Sequence, residues 1–136
     1  MTSQLNPYLN FNGNARQALE FYAALFGGEL ALTTFDESGN SGPDAQRIMH
    51  GSLNTDAGYT IMGADIMSDM DYEPIRGTSV SISGDDAEQL RRYWVELSAG
   101  GAISVPLARQ PWGDEFGMCT DRFGVPWMID IVRPQD

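Results

Sequence analysis

Between residues 15 and 26 the apolar side chains Ala15, Ala18, Leu19, Tyr22, Leu25 and Phe26 recur three and four positions apart. That spacing puts them on one stripe of an α-helix. Ala87, Leu90, Trp94 and Leu97 repeat it further along. Each stretch stops at paired glycines, Gly27-Gly28 and Gly100-Gly101, which suit a left-handed C-terminal cap. At the front ends, Asn14 with Gln17 and Asp85 with Glu88 have the spacing of capping boxes. After each helix the pattern shortens toward alternation and predicts three strands. In the first half these are Glu29–Phe35, Arg47–Asn54 and Tyr59–Asp65; in the second, Ala102–Leu107, Phe116–Thr120 and Pro126–Val132. Asp56-Ala57-Gly58 and Asp121-Arg122-Phe123-Gly124 read as turns between strands.

The two halves are alike. Leu9–Gly28 matches Ser81–Gly100 at a constant offset of 72, so that Asn14 meets Asp86, Phe21-Tyr22 meets Tyr93-Trp94 and Leu25 meets Leu97. Each matched stretch opens with a short alternating strand, which makes the repeated unit βαβββ. The expected fold is α+β: two modules, about 5–66 and 77–133, whose curved sheets form an eight-stranded open barrel with the helices outside. Residues 1–136 then make a single domain, with Met67–Gly77 as linker because it carries Pro74 and Gly77. Strand alternation leaves a concave surface for a small ligand. Asp36–Gln46, rich in Gly, Ser and Asp, reads as a mobile flap over that cleft.

Composition narrows the function. A net charge of −11 argues against DNA, RNA and anionic lipid as partners, and it is compatible with a cationic ligand. No apolar run approaches the roughly 20 residues of a membrane span, and Met1-Thr2-Ser3-Gln4 begins no signal peptide. One cysteine, Cys119, fits a reducing cytosol. A cytoplasmic protein is expected.

Candidate chemistry is sparse. His50 is the only histidine. It is read as a hydrogen-bonded strand residue, as a pocket base or donor, or as a metal ligand beside Asp65 or Asp69. Trp112, on the loop entering a strand, is either a core anchor or a flat wall on which a ligand stacks. Asp114 and Glu115 are adjacent and therefore point to opposite faces, which disfavours an acid/base dyad. Cys119 is expected to be a buried, inert thiol. There is no glycine-rich phosphate loop, GxGxxG, CxxC or HExxH motif.

Four segments carry a resemblance: Tyr8-Leu9-Asn10-Phe11-Asn12-Gly13-Asn14, Ile48-Met49-His50-Gly51, Trp112-Gly113-Asp114-Glu115-Phe116-Gly117 and Asp121-Arg122-Phe123-Gly124-Val125-Pro126-Trp127-Met128. Together they are similar to bacterial PhnB-like proteins of the glyoxalase/bleomycin-resistance/dioxygenase (vicinal-oxygen-chelate) superfamily, from about residue 5 to residue 133. The resemblance implies the open-barrel fold and a homodimer. It also implies three or four His or carboxylate metal ligands on the first and last strands of each module. Those positions fall here at Pro7 or Tyr8, within Gly77–Ser79, and at about Met62 and Met128, none of which suits a hard divalent ion. No metal or other cofactor is therefore expected.

The function implied is binding of a small molecule in the barrel cleft, with lyase- or isomerase-type proton transfer or addition next to a carbonyl if the protein is an enzyme. His50 would be the catalytic base or donor; Tyr8, Met62, Asp69, Trp112, Phe116 and Met128 would contact the ligand. The alternative is a non-catalytic protein that sequesters a cationic drug, similar to bleomycin-resistance proteins. Relatives are sometimes labelled demethylubiquinone methyltransferases, but nothing in the sequence resembles an S-adenosylmethionine-binding Rossmann unit.

Overall fold

The computed structural model describes residues 3–133. Its elements run β1 (Tyr8–Phe11), α1 (Ala15–Phe26), β2 (Glu29–Thr34), a 3₁₀ turn (Asp36–Ser38), β3 (Ile48–Asn54), β4 (Thr60–Asp65), β5 (Val80–Gly84), α2 (Ala87–Ser98), β6 (Ala102–Arg109), β7 (Glu115–Thr120) and β8 (Pro126–Ile131). The βαβββ order occurs twice, and α2 follows α1 by the same 72 positions as the sequence repeat. Strand ends differ from expectation by one or two residues, most at β6, which runs on to Arg109. The chain divides into two compact units, Met1–Pro74 and Ile75–Asp136.

Unit 1 is a four-stranded sheet of order β1-β4-β3-β2, with β1 and β4 parallel and the other pairs antiparallel. α1 covers one face. Its buried residues are Ala15, Ala18, Leu19, Tyr22, Leu25 and Phe26, the stripe that the 3.6-residue period predicts. They meet Leu9, Phe11, Ile48, Leu53 and Ile61, all at most 5% exposed. Gly51 lies under the helix, where an added Cβ would sit 2.5 Å from Leu19 Cδ1; the missing side chain lets Leu19 reach the sheet.

Unit 2 repeats the plan with order β5-β8-β7-β6 and a parallel β5/β8 pair. α2 buries Leu90, Tyr93, Trp94 and Leu97. Tyr93 widens the expected stripe; α2 packs on β8, whose Trp127, Ile129 and Ile131 are buried, and each such side chain contributes about 1.5–3 kcal/mol on burial. Gly117 takes the place of Gly51, with an added Cβ only 2.8 Å from Trp94 Cη2 and 2.9 Å from Leu107 Cα. Cys119 is buried beside it, and burial, reinforced by the charge of Asp121, pushes its thiol up to about 11. The thiolate is thereby suppressed.

Both expected capping boxes are replaced. Asn14 makes no side-chain cap; Asp65, from the far end of β4, accepts the Gly13 and Ala15 N–H groups through Oδ1 at 2.8 and 3.0 Å. Its Oδ2 accepts the Ile48 N–H at 2.9 Å. A buried carboxylate is the stronger acceptor, and it also meets the positive end of α1. In unit 2 the cap is Asp86 rather than Asp85, accepting from Gln89 N at 3.2 Å. At the far ends, Gly27 has φ 73° but ψ 175°, so it takes a positive φ without the left-handed helical geometry.

The expected flap is anchored. The buried Asp44 accepts the Ser68 N–H at 3.1 Å and pairs with Arg47 at 3.5 Å. The hydrogen bonds from Ser68 hold the Asp44 carboxyl below its usual range. The turn after β7 is held by a second buried carboxylate: Asp121 accepts from Phe123 N, Val125 N and Trp127 Nε1 at 2.9, 3.0 and 2.8 Å.

Candidate functional site

Because strand side chains alternate, the residues that do not meet a helix share the opposite face of each sheet. In unit 1 the register Tyr8↔Met62↔Ser52 sets three of them in a row across β1, β4 and β3. His50 lies two residues from Ser52 on the same face. Tyr8 reaches over β4 to it: the Tyr8 hydroxyl is 3.2 Å from His50 Nδ1, and the rings stack at 5.7 Å with their planes 30° apart. Either tautomer is served, since the phenol donates when Nδ1 is bare and accepts when Nδ1 carries the proton. Tyr8 is 49% exposed, so the pair is open to a ligand.

Tyr8, His50 and Met62 are thus brought together. Asp69 is not: it lies exposed in the turn after β4, where Met70 N donates to Met67 O. Asp65 is excluded as a partner for His50, because it sits on the helix face with both oxygens taken by backbone N–H groups. Among the described residues no three His, Cys, Asp or Glu side chains gather in a way that could hold a metal ion. Phenol at position 8 and thioethers at positions 62 and 128 do not fit a hard divalent ion either.

In unit 2 the open face carries Phe116 opposite Asp130 and Met118 opposite Met128. Trp112 is not a core anchor. It is 61% exposed, and its ring lies 6.5 Å from Phe116 at 60°. The adjacent acids do face apart, as their spacing requires. Glu115 forms an ion pair with Arg91. Asp114 accepts the Arg133 N–H at 3.0 Å and turns to Asp130. Desolvation, then the charge and hydrogen bond of Asp114, raise the Asp130 carboxyl. Asp130 was missing from the sequence reading, although it lies two residues beyond Met128 and period two already put it on that face.

The model of the 3-demethylubiquinone-9 3-methyltransferase family matches residues 3–130. The chain belongs to that PhnB-like family. Protein YjdN of Escherichia coli is 34% identical over 143 residues, covering 96% of this chain and 97% of that one. Protein PA1353 of Pseudomonas aeruginosa is 36% identical with a TM-score of 0.89, over 98% of this chain and 100% of PA1353. A glyoxylase/bleomycin resistance protein/dioxygenase domain from Frankia, 12% identical, superposes with a TM-score of 0.67 over 98% of this chain and 99% of the domain. At that identity the likeness concerns the fold, which is the glyoxalase/bleomycin-resistance fold. The family's description names a methyl transfer. Each sheet here has only one parallel pair, unlike the doubly wound sheet of a Rossmann unit, and the described residues provide no Rossmann-type site for S-adenosylmethionine.

Proposed function

We propose that this PhnB-like protein binds a small organic molecule on the open face of its first sheet and moves a proton there without a metal. The observation that carries the reading is the Tyr8–His50 pair: a hydrogen bond of 3.2 Å between stacked rings, exposed, on the face away from the helix. With Nδ1 accepting from the phenol, Nε2 carries the outward proton and donates to a carbonyl oxygen; in the other tautomer Nε2 is the base that takes a proton from the neighbouring carbon. Met62 supplies an adaptable apolar floor.

The test is a pair of variants, His50→Ala and Tyr8→Phe, assayed against a panel of α-carbonyl compounds by NMR for both binding and exchange of the adjacent carbon-bound proton. His50→Ala is expected to abolish exchange, and Tyr8→Phe to lower it by about 10²-fold. Exchange at the wild-type rate in His50→Ala would remove the central residue of the proposal.

A second reading is favoured by one feature of unit 2, the exposed Trp112 beside Phe116 with Asp114 and Asp130 next to them. An aromatic wall and paired carboxylates suit a cation, and with the charge of −11 they support sequestration of a cationic compound without turnover. Saturable binding with no product would favour it over the first. A homodimer, with partner contacts helping to enclose the ligand, accompanies either reading, and sedimentation equilibrium tests it.

A further inference from the structure

The internal repeat exposes a difference between the two units. Asp65 ends the parallel ladder of unit 1 opposite Phe11, and its carboxylate fills the space over the first turn of α1. Ile131 ends the corresponding ladder of unit 2 opposite Gly84. An apolar residue thus stands at the strand end where unit 1 has its buried carboxylate, and α2 is capped instead by Asp86 from its own start. Unit 2 has a cavity of about 160 Å³ against Ala87 and Ile131, bordered by Arg91, Arg109 and Arg133. That is well above the ~10–15 Å³ that one water requires.

The charge there runs against the rest of the molecule. The chain has 19 carboxylates and only 8 cationic side chains, all of them arginine, yet three of the eight meet at this cavity. Asp85 and Glu115 also border it. Glu115 is taken up by Arg91. Among the described residues the Arg109 side chain donates to the Gly113 carbonyl alone, at 3.2 Å, and the Arg133 guanidinium lies over Gly113, where an added Cβ would be 3.2 Å from Nη1. Neither forms an ion pair among the described residues. Two guanidinium groups without an ion-pair partner among the described residues thus border a cavity whose free carboxylate is Asp85 alone, a local excess of positive charge.

We propose that this cavity is an oxyanion site, in which Arg109 and Arg133 donate to a phosphate or carboxylate group of a small ligand. Planar guanidinium forks match either group in bidentate fashion. All the residues that line the cavity belong to unit 2, and neither Tyr8 nor His50 is among them.

The experiment is an ¹⁵N NMR titration of the full chain with inorganic phosphate, run beside acetate and beside sodium chloride at matched ionic strength. Phosphate or acetate is expected to shift the amides of Ala87–Arg91 and Gly113–Glu115 saturably, and the one that binds more tightly identifies the ligand group. The double variant R109Q/R133Q should weaken that binding about tenfold or more. Both side chains are exposed, so its unfolding temperature should hold; the single variant R133Q, losing part of the affinity, serves if the double variant does not fold. Chloride reproducing the same shifts, or wild-type affinity in R109Q/R133Q, would overturn the proposal.

Discussion

Replacing Asp65 tests whether one carboxylate holds the front of unit 1 together. It accepts three backbone N–H groups from two separate segments, at 2.8, 3.0 and 2.9 Å. Asp65→Ala orphans all three. The Gly13 N–H lies at an exposed residue and rehydrates, whereas those of Ala15 and Ile48 belong to buried residues. An unsatisfied buried donor costs about 1–3 kcal/mol, and loss of the anion at the start of α1 adds about 0.3–1 kcal/mol. The expected total is about 3–5 kcal/mol, a large part of the ~5–15 kcal/mol that holds a domain folded. Asp65→Asn keeps one acceptor oxygen and turns an NH₂ toward Ile48 N–H, so about 1.5–3 kcal/mol is expected. Urea unfolding followed by two probes makes the assay specific. Trp94, Trp112 and Trp127 all lie in unit 2, so tryptophan fluorescence reports that unit, while far-UV circular dichroism reports both. If the units unfold separately, only the dichroism step should move; if they unfold together, both midpoints shift alike. A loss below about 1 kcal/mol in Asp65→Ala would refute the reasoning, since it is no more than an average point substitution costs.

Two further outcomes follow from the same contacts. Gly117→Ala should cost about 1–3 kcal/mol, and more than Gly51→Ala, because its new methyl meets the Trp94 ring and the Leu107 backbone rather than the movable end of Leu19; equal losses in urea midpoint would count against this. Asp130 has a raised carboxyl: its folded form holds a proton more tightly than the unfolded chain, so stability is greatest below the unfolded value and falls as pH rises through the folded one. Asp130→Asn should therefore raise the melting temperature near pH 7 and bring no gain near pH 3, and a gain of the same size at both would contradict the assigned cause.

The helical stripes were legible because they depend on neighbours three and four residues away, and α1 buries the six residues its period picks out. The caps were not, because Asp65 reaches α1 from 50 residues further on; a local capping rule looks only along the helix and chose Asn14 and Gln17. The same limit applied to the site. His50 stood out as the lone histidine, but its partner depends on the parallel pairing of β1 with β4, which puts Tyr8 within reach over an intervening strand. Asp130 needed no such pairing, only the alternation already used for Met128. Asp69 follows β4 closely along the chain but lies in the exposed turn beyond it, not on the sheet.

The groups that fix the backbone, Asp65, Asp121 and Thr55, serve helix starts and turns, whereas the Tyr8–His50 hydrogen bond joins two side chains only. The side chains proposed to meet a ligand are therefore separate from those that hold the frame. A library randomised at Tyr8, His50, Ser52 and Met62 should retain most of its folded members. On that division, the contacts this face offers a ligand can be exchanged without repairing the frame.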